Sequence, residues 1–466
     1  MKQISVKDII RECEGTLLYG DETILCGDFE KDDRKIKDGD TFVGIKGEKF
    51  DGNTFFEKAL QKGAKVCLLQ GKIPKKEQYE KYQDRAIVMV NDTVQAIGKL
   101  AAYKRSLYAI PVVAITGSVG KTSTKDLIAS VVAQKYKVKK TQGNFNNHIG
   151  LPFTILDLKE EEALVVEMGM NHFGEIRYLT NIAKPTIAVI TNIGTSHIGN
   201  LGSRENILKA KLEILEGLAK EGTVIINEDN DLLHKWHDKE KNRKIISFGI
   251  EQKADIMPYE IKLEADKSFY KINMKKKEYE IQVPISGKHF VYNSCAAIAV
   301  GEVLAISMEQ IKKGIQSFEL TKKRMETIKL KDDKIIINDS YNASLDSMIA
   351  ALTYLKEVPG NRKIAVLGDM LELGDYAERL HQEVGKEVVK NNIDILITVG
   401  KLGDMIAREA QKLGMQEEKI YSFSDNKQVE KCIKTLWKQG DRILFKASNG
   451  MKLGEIIENL QKEEEN

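Results

Sequence analysis

The chain has 466 residues, of which 42% are hydrophobic and 30% charged, and at roughly 100–200 residues per globular domain this length predicts about three domains. Its 72 basic and 69 acidic residues give a formal net charge of +3, which is not the basic footprint of a nucleic-acid binder, so nucleic acid is not expected as a partner. The five cysteines are scattered and form no CxxC pair, and no apolar run approaches the roughly 20 residues that cross a bilayer. We therefore expect a cytoplasmic protein without membrane insertion, a disulfide framework or a zinc site.

Short apolar runs alternate with helical patterns, which predicts an α/β fold in three domains. Residues 1–108 are expected to form a small α/β domain, with strands at 41–45, 66–69 and 87–90 and helices at 54–61 and 93–106. Residues 109–318 are expected to form a parallel-sheet domain, with strands at 112–115, 163–166, 187–193 and 224–226 and an antiparallel insert over 254–285. Residues 319–466 are expected to form a Rossmann-like domain, with strands at 335–337, 364–367, 393–399 and 443–445.

A glycine turn joins the first strand of the central domain to a helix predicted at 126–134. The residues of the turn, which we expect to bind ATP, are Thr116, Gly117, Ser118, Val119, Gly120, Lys121, Thr122 and Ser123. Its glycines allow backbone N–H groups to surround phosphate oxygens, Lys121 adds a positive charge, and Thr122 offers a hydroxyl to Mg²⁺. The usual phosphate loop has its first glycine where this chain has Ile115, so the turn is a shortened variant. A plain strand–helix turn is the alternative, and a phosphate loop alone does not separate a ligase from a kinase or a switch.

Two polar side chains follow predicted strands of the same domain. Glu167 ends the strand at 163–166, and His197 follows the strand at 187–193. Ligands collect beyond the carboxyl ends of parallel strands, so both side chains are predicted to face the phosphate loop and hold Mg²⁺. Taken singly, Glu167 can also be a helix cap or surface residue, and His197 a polar loop residue.

Lys211 lies within the apolar face of a helix predicted over 203–220, with Ser203 as its N-cap. Burial lowers the pKa of a lysine, and the resulting neutral amine can add CO₂ to form an anionic carbamate that holds a metal ion. From the helical pattern alone, the favoured interpretation is a lysine whose chain extends to the rim of the face.

In this order, these residues resemble the Mur ligase family over nearly the whole chain. In the first domain, Asp33-Arg34 before Gly39-Asp40, and Asp51-Gly52-Asn53, resemble the segments that hold the uridine nucleotide. The family often has Ser-Arg and Asp-Gly-His there, so Asp33 and Asn53 are departures. The resemblance implies substrate contacts by Asp33, Arg34 and Asn53, and it implies that Lys211 is carbamylated.

Longer strings resemble the branch of the family that adds D-alanyl-D-alanine. These strings are 141–152, 209–214, Gly287-Lys288-His289 with Asn293, 324–326, 338–343 and 366–374. The resemblance implies a monomeric, ATP-dependent ligase that joins D-alanyl-D-alanine to UDP-N-acetylmuramoyl-tripeptide through an acyl phosphate, in peptidoglycan precursor synthesis.

The resemblance also implies the site and its cofactors. The catalytic set is Lys121, Glu167, His197 and Lys211; Thr122 and Glu167 hold one Mg²⁺, and His197 and carbamylated Lys211 hold a second. The remaining expected contacts are His289 and Asn293 to adenine, Arg324 to a phosphate, Asp339 and Tyr341 to ribose and base, and Asn144, Asn146 and Asn147 to substrate. The third domain is expected to close over ATP about a hinge at 318–322.

Two departures affect the acceptor. After Asn342-Ala343 the family usually has Asn-Pro, and here it is Ser344-Leu345; near the end it often has Lys-Gly-Ser-Arg, and here it is Lys446-Ala447-Ser448-Asn449. A related ligase with another amino acid or polyamide acceptor is therefore an alternative. A nucleotide-dependent binding module is a second one, which would need the phosphate loop but not Glu167, His197 and Lys211 together.

Overall fold

The computed structural model describes residues 2–264 and 266–465. The N-terminal unit is a five-stranded sheet in the order β1-β5-β4-β3-β2, in which only β1 is antiparallel to its neighbour. Its strands are β1 Thr16–Tyr19, β2 Phe29–Glu30, β3 Thr41–Val43, β4 Val66–Gln70 and β5 Ala86–Val90, and its helices are α1 Val6–Cys13, α2 Phe56–Gln61 and α3 Thr93–Ser106. The helix α3 has the predicted limits, whereas residues 52–55 of the helix predicted at 54–61 form a 3-10 turn before α2.

The central unit is a six-stranded parallel sheet in the order β11-β10-β9-β6-β8-β7. Its strands are β6 Val112–Thr116, β7 Val138–Lys140, β8 Ala163–Glu167, β9 Ile187–Ile190, β10 Thr223–Asn227 and β11 Lys244–Phe248. Its helices are α4 Lys121–Val132, α5 Gly150–Leu156, α6 Glu175–Ala183, α7 Ile198–Leu201, α8 Arg204–Leu212, α9 Asp231–His237, α10 Lys288–Val303 and α11 Met308–Gln316. Because β6 lies between β8 and β9, the strand order reverses at its carboxyl end, where such sheets form a ligand crevice.

The predicted insert is confirmed as a three-stranded antiparallel sheet. Its strands are β12 Pro258–Leu263, β13 Ser268–Met274 and β14 Lys277–Val283. Side chains alternate between buried and exposed along β13, because one face packs against the unit and the other meets solvent.

The C-terminal unit is a six-stranded sheet in the order β15-β16-β20-β17-β18-β19, parallel except for β15. Its strands are β15 Glu326–Lys329, β16 Ile335–Asn338, β17 Lys363–Gly368, β18 Ile395–Val399, β19 Ile420–Phe423 and β20 Arg442–Lys446. Its helices are α12 Leu345–Glu357, α13 Ala377–Lys390, α14 Gly403–Lys412, α15 Asn426–Leu436 and α16 Leu453–Glu465. The predicted α/β class with a Rossmann-like last unit is confirmed.

The helix predicted over 203–220 is too long. The Ser203 side chain does cap its start, accepting a hydrogen bond from the backbone N–H of Asn206, but α8 ends at Leu212 and a 3-10 turn follows. Beyond that turn, Gly217 packs so closely on α6 that an added Cβ would lie 2.3 Å from the carbonyl oxygen of Thr180. Two other limits shift, since the helix predicted at 126–134 begins at Lys121 and the strand predicted at 187–193 ends at Ile190.

Polar contacts join the three units. The Lys159 ammonium pairs with Asp28 of the N-terminal unit at 2.8 Å, and the Thr321 hydroxyl, in the predicted hinge, donates to Asp126 of α4 at 2.6 Å. None of the helices in the described residues is both long and apolar enough to span a bilayer.

Candidate active site

The glycine turn between β6 and α4 forms one wall of a cavity of about 440 Å³. Gly117 and Gly120 have φ angles of +154° and +81°, in the region that side chains disfavour. At Gly117 a Cβ would also lie only 1.9 Å from the Thr191 hydroxyl, so the close approach of β9 requires glycine. The Lys121 ammonium donates to the carbonyl oxygen of Gly117 at 2.8 Å, and burial lowers its pKa. The turn thus has the backbone and the charge that a phosphate group needs.

Asn192, just beyond β9, holds the turn in shape. Its Oδ1 accepts from the Val119 N–H at 2.9 Å, and its Nδ2 donates to the Val119 carbonyl oxygen at 3.0 Å. The Thr191 hydroxyl donates to the same carbonyl oxygen at 2.8 Å. The residues that end the neighbouring strand therefore hold the shape of the loop.

Glu167 lies at the centre of a polar cluster beside the turn. Its Oε2 accepts from the Thr122 hydroxyl at 2.9 Å and its Oε1 from the Asn146 amide at 2.7 Å. Arg324, from the C-terminal unit, donates to the same Thr122 hydroxyl at 3.2 Å. Only 1% of the Glu167 surface is exposed. A buried carboxylate and a hydroxyl this close are suited to sharing a hard cation.

Lys211 is buried in the central unit without an acidic partner. It is 1% exposed. Within the described residues, its side chain makes no hydrogen bond and no ion pair. Burial, reinforced by repulsion from Lys121, lowers its pKa well below the usual value. The interpretation that the Lys211 side chain extends to the rim of the helix face is wrong, because the residue is almost fully buried. This burial favours the neutral form of its amine.

Glu213 anchors the chain immediately after Lys211. Its carboxylate accepts from the Gly174 N–H at 2.8 Å and the Arg177 N–H at 3.1 Å, at the start of α6. We expect Glu213→Ala to lower the free energy of unfolding by about 2 kcal/mol, because the N–H groups at the start of α6 lose their buried acceptor. Urea denaturation measures the change. The control Glu216→Ala removes a more exposed carboxylate paired with Arg177, and a loss equal to that of Glu213→Ala would contradict the anchoring role.

His197 lies beside Lys121 and Lys211 with a left-handed backbone, at φ +62°. Burial and repulsion from these two lysines lower its pKa to about 3. The imidazole is therefore neutral at physiological pH and has a lone pair to offer. Its Nδ1 lies 3.1 Å from Glu372 Oε2 of the C-terminal unit.

The far end of the cavity is aromatic and suits a flat base. Phe248, His289, Phe290 and Tyr292 line it, and the buried Nε2 of His289 has no hydrogen-bond partner among the residues that the structure describes. Asn293, also in the lining, accepts from the Thr124 hydroxyl at 3.0 Å. Burial lowers the pKa of His289 to about 4, so its ring is neutral.

The C-terminal unit contributes an arginine and an ion pair to the cavity. The Arg324 guanidinium stacks on the Tyr341 ring, 3.8 Å from its centroid, and its buried Nε finds no hydrogen-bond partner in the described part of the chain. Asp339 accepts from the Met325 N–H at 3.1 Å and pairs with the buried Lys446. Lys446 also donates to the carbonyl oxygen of Asn342 at 3.0 Å. An anionic ligand in the cavity would supply the acceptor that the Arg324 Nε lacks.

Most of the predicted site residues meet at this cavity. Those that line it are Ser118, Val119, Gly120, Lys121, Thr122, Ser123, Asn146, Asn147, Glu167, His197, His289, Asn293, Arg324, Asp339 and Tyr341. Thr116 and Gly117 support the turn from beneath, with the Thr116 hydroxyl donating to the carbonyl oxygen of Met168 at 3.0 Å. Lys211 and Asn144 are not among the lining residues. The Asn144 side chain contacts the hydroxyl of Tyr341, which does line the cavity.

Asp33, Arg34 and Asn53 lie apart from the cavity, in the N-terminal unit. Arg34 is exposed and pairs with Asp32 at 2.8 Å. Asn53 uses both ends of its amide within the fold: its Nδ2 donates to Asp51 at 2.6 Å and its Oδ1 accepts from the Gln70 N–H at 2.9 Å. Asn147 has a similar local role, since its Oδ1 accepts from the Gly150 N–H at 2.8 Å at the start of α5.

Four side chains shape the site although the sequence alone indicates no role for them. These are Asn192, Asp346, Glu372 and Lys446. Glu372 lies in the string 366–374 that carried the family resemblance, so a signal was present for it, whereas Lys446 begins a segment that departs from the family pattern. Asp346 lies beside the Ser344-Leu345 departure, and its contact with Thr195 joins residues far apart in the chain.

Comparison with known proteins gives matches along the chain. Residues 32–105 match the Mur ligase family catalytic domain, residues 115–301 the Mur ligase middle domain, and residues 323–449 the Mur ligase, glutamate ligase domain. The UDP-N-acetylmuramoyl-tripeptide–D-alanyl-D-alanine ligase of Bacillus subtilis (strain 168) is 40% identical over 98% of both chains. This chain belongs to the Mur ligase family. The family membership predicted from the sequence is confirmed.

Solved structures of Mur ligases share the whole architecture. A crystal structure of MurF from Acinetobacter baumannii covers 99% of both chains with a TM-score of 0.89 and 30% identity. MurF ligase of Thermotoga maritima, in complex with ADP, covers 94% of this chain and 97% of its own, with a TM-score of 0.81 and 28% identity.

Proposed function

We propose that this Mur ligase uses ATP to join D-alanyl-D-alanine to UDP-N-acetylmuramoyl-tripeptide, a step of peptidoglycan precursor synthesis. The observation that carries the proposal is the 40% identity, over 98% of both chains, to a ligase named for these substrates. ATP and nucleotide-linked sugars are cytoplasmic metabolites, so the reaction belongs to the cytoplasm. We expect the enzyme to act as a monomer, as the family resemblance implies.

Each unit has one part of the reaction. Residues 1–108 hold the UDP end of the donor, with Asp33, Arg34 and Asn53 in the contacting segments. Residues 109–318 hold ATP through the glycine turn, with Lys121 on the phosphates and Asn293 at the base. Residues 319–466 complete the site with Arg324 on a phosphate and with Asp339 and Tyr341 near the nucleoside. Asn144, Asn146 and Asn147 lie between the ATP and the donor peptide.

Two Mg²⁺ ions fit the donor atoms of the site. Among the described residues no three His, Cys, Asp or Glu side chains form a metal-binding group, so the ligand set requires the Thr122 hydroxyl and a further anion. The buried amine of Lys211 can supply that anion: it adds to CO₂, an N–C bond forms, one proton is released, and the amine becomes a carbamate. Thr122 and Glu167 would then hold one ion, and His197 and the carbamate the other. When bound, the ions neutralise the phosphate charge.

The chemistry is phosphoryl transfer followed by amide formation. A terminal carboxylate oxygen of the tripeptide attacks the γ-phosphorus, the bond to ADP breaks, and an acyl phosphate results. The amine of D-alanyl-D-alanine attacks the acyl carbon, phosphate leaves and the amine loses a proton. Lys121, Arg324 and the turn amides position the phosphates in this process. Packing of the C-terminal unit over the cavity excludes water, which would hydrolyse the acyl phosphate.

Phosphate release tests the proposal against its alternatives. With ATP, UDP-N-acetylmuramoyl-tripeptide and D-alanyl-D-alanine together, we expect steady release that stops when either peptide substrate is omitted. Release with glutamate as acceptor, and none with D-alanyl-D-alanine, would indicate a ligase of another acceptor class. ATP binding without release under any combination would indicate a binding module.

A further inference from the structure

The segment that carries His197 is held by the opposite unit. This segment, residues 194–202, follows β9 and is called here the histidine segment. Asp346 Oδ2 accepts from the Thr195 N–H at 2.7 Å and from the Thr195 hydroxyl at 2.9 Å. The Tyr376 hydroxyl donates to the carbonyl oxygen of Gly202 at 2.5 Å. Contacts from the C-terminal unit therefore fix both ends of the histidine segment.

Glu372 reaches the middle of the histidine segment. Its Oε2 lies 3.1 Å from His197 Nδ1. The backbone of Gly199 packs directly against the backbone of Glu372, since a Cβ added to Gly199 would lie 2.7 Å from the carbonyl oxygen of Glu372. The carboxylate and the imidazole are thus brought together by backbone packing between the two units.

The loop that presents Glu372 is held in an unusual conformation. Glu372 has φ +64°, which non-glycine residues adopt only when their surroundings impose it. The Met370 N–H donates to the buried Nε2 of His381 at 2.9 Å, and the Leu371 N–H donates to the Ser448 hydroxyl at 2.9 Å. These bonds fix the backbone on the N-terminal side of Glu372 and aim its side chain outward from the unit.

A carboxylate can only accept a hydrogen bond, so Nδ1 of His197 carries the proton in this contact. The neutral ring then has its lone pair on Nε2, the nitrogen left to act as a ligand. We infer that Glu372 is a positioning residue, which fixes the tautomer and orientation of His197 when the C-terminal unit packs on the central unit. A carboxylate commonly orients a metal-binding histidine in this manner. Here the carboxylate belongs to the C-terminal unit and the histidine to the central unit. Packing of the two units therefore also sets the tautomer of the imidazole.

The contact itself adds little to stability. The Glu372 side chain is 58% exposed and that of His197 20% exposed, and exposed pairs contribute little to folding. Replacement of Glu372 should therefore leave the fold intact. Asp375, an exposed carboxylate on the same loop, gives a matched control because it has the same charge and lies outside the cavity lining.

The test compares Glu372→Ala, Glu372→Gln and Asp375→Ala by ¹⁵N NMR of histidine-labelled protein with a non-hydrolysable ATP analogue and donor. His197→Gln identifies the His197 signals. We expect a protonated Nδ1 in the unmodified protein, in Asp375→Ala and in Glu372→Gln, whose amide oxygen still accepts. In Glu372→Ala we expect the Nε2-protonated form that unconstrained imidazoles favour. An Nε2-protonated His197 in the unmodified protein, or no change in Glu372→Ala, would overturn the inference.

Kinetics provide the second readout, and this readout rests on the proposed function. For Glu372→Ala we expect kcat to fall by about 10- to 100-fold with the KM for ATP little changed. Glu372→Gln should recover most of the rate, and Asp375→Ala should match the unmodified protein. Equal rates for Glu372→Ala and Asp375→Ala would overturn the inference. An unmodified protein that does not ligate would overturn the proposed function instead, because the tautomer is measured without turnover.

Discussion

Replacing Lys211 with alanine is expected to reduce ligation by about 10³-fold or more, because the site loses the anion that the carbamate supplies. The fold should persist. Lys211 is buried with a cation as its electrostatic neighbour, so removing the amine takes away a desolvated polar group. Lys211→Met, which keeps most of the side-chain volume, should unfold at a urea concentration at least as high as the unmodified protein. Steady-state amide formation and urea denaturation measure the two effects.

The matched control for Lys211 is Lys209→Ala on the same helix. Lys209 is exposed, so its removal should leave the rate unchanged. Formate or acetate should partly restore activity to Lys211→Ala by occupying the place of the carbamate. With ¹³C-labelled CO₂, the unmodified protein should show a carbamate resonance that Lys211→Ala lacks. A fully active Lys211→Ala protein would remove the carbamate from the mechanism.

Glu167→Gln is expected to lower ligation by about 10²- to 10³-fold, with the largest deficit at low Mg²⁺. In the unmodified protein, Thr122 and Asn146 donate to the Glu167 carboxylate at 2.9 Å and 2.7 Å. The amide oxygen of a glutamine can still accept from one of them. The change therefore removes the negative charge while leaving the local packing intact. Ligation rates measured across a Mg²⁺ titration should show a midpoint shifted to higher concentration.

Glu160→Gln controls for the loss of a carboxylate near β8. Glu160 is exposed and pairs with Lys137 at 2.9 Å, so its replacement should leave the Mg²⁺ dependence unchanged. If Glu167→Gln kept the Mg²⁺ midpoint of the unmodified protein, Glu167 would not be a cation ligand.

The parts of the site that the sequence predicted are those with a local pattern. The glycine turn follows a buried strand and precedes a helix, so its place was set by neighbouring residues. Glu167 and His197 were identified because parallel strands deliver their following residues to one edge of the sheet. Helical periodicity placed Lys211 on the apolar face of its helix, but the pattern alone favoured a side chain reaching the rim, and the structure buries it instead.

The parts that the sequence did not predict depend on contacts between distant segments. Nothing near His197 indicates that Glu372 would lie 3.1 Å from its ring, or that Asp346 would bind Thr195. The sequence also did not predict that the Asn53 Oδ1 would accept from the N–H of Gln70, which lies on β4 of the same unit. Periodicity predicts which side of an element is buried, whereas the partner of a polar side chain depends on how whole units pack.

The mass of the ligation product tests the central claim most directly. Incubation with ATP, Mg²⁺, UDP-N-acetylmuramoyl-tripeptide and D-alanyl-D-alanine should yield a product equal in mass to the two peptides minus one water, with one ADP and one phosphate formed per product. The donor recovered unchanged while ATP and D-alanyl-D-alanine are present, with a correctly folded protein, would contradict the account.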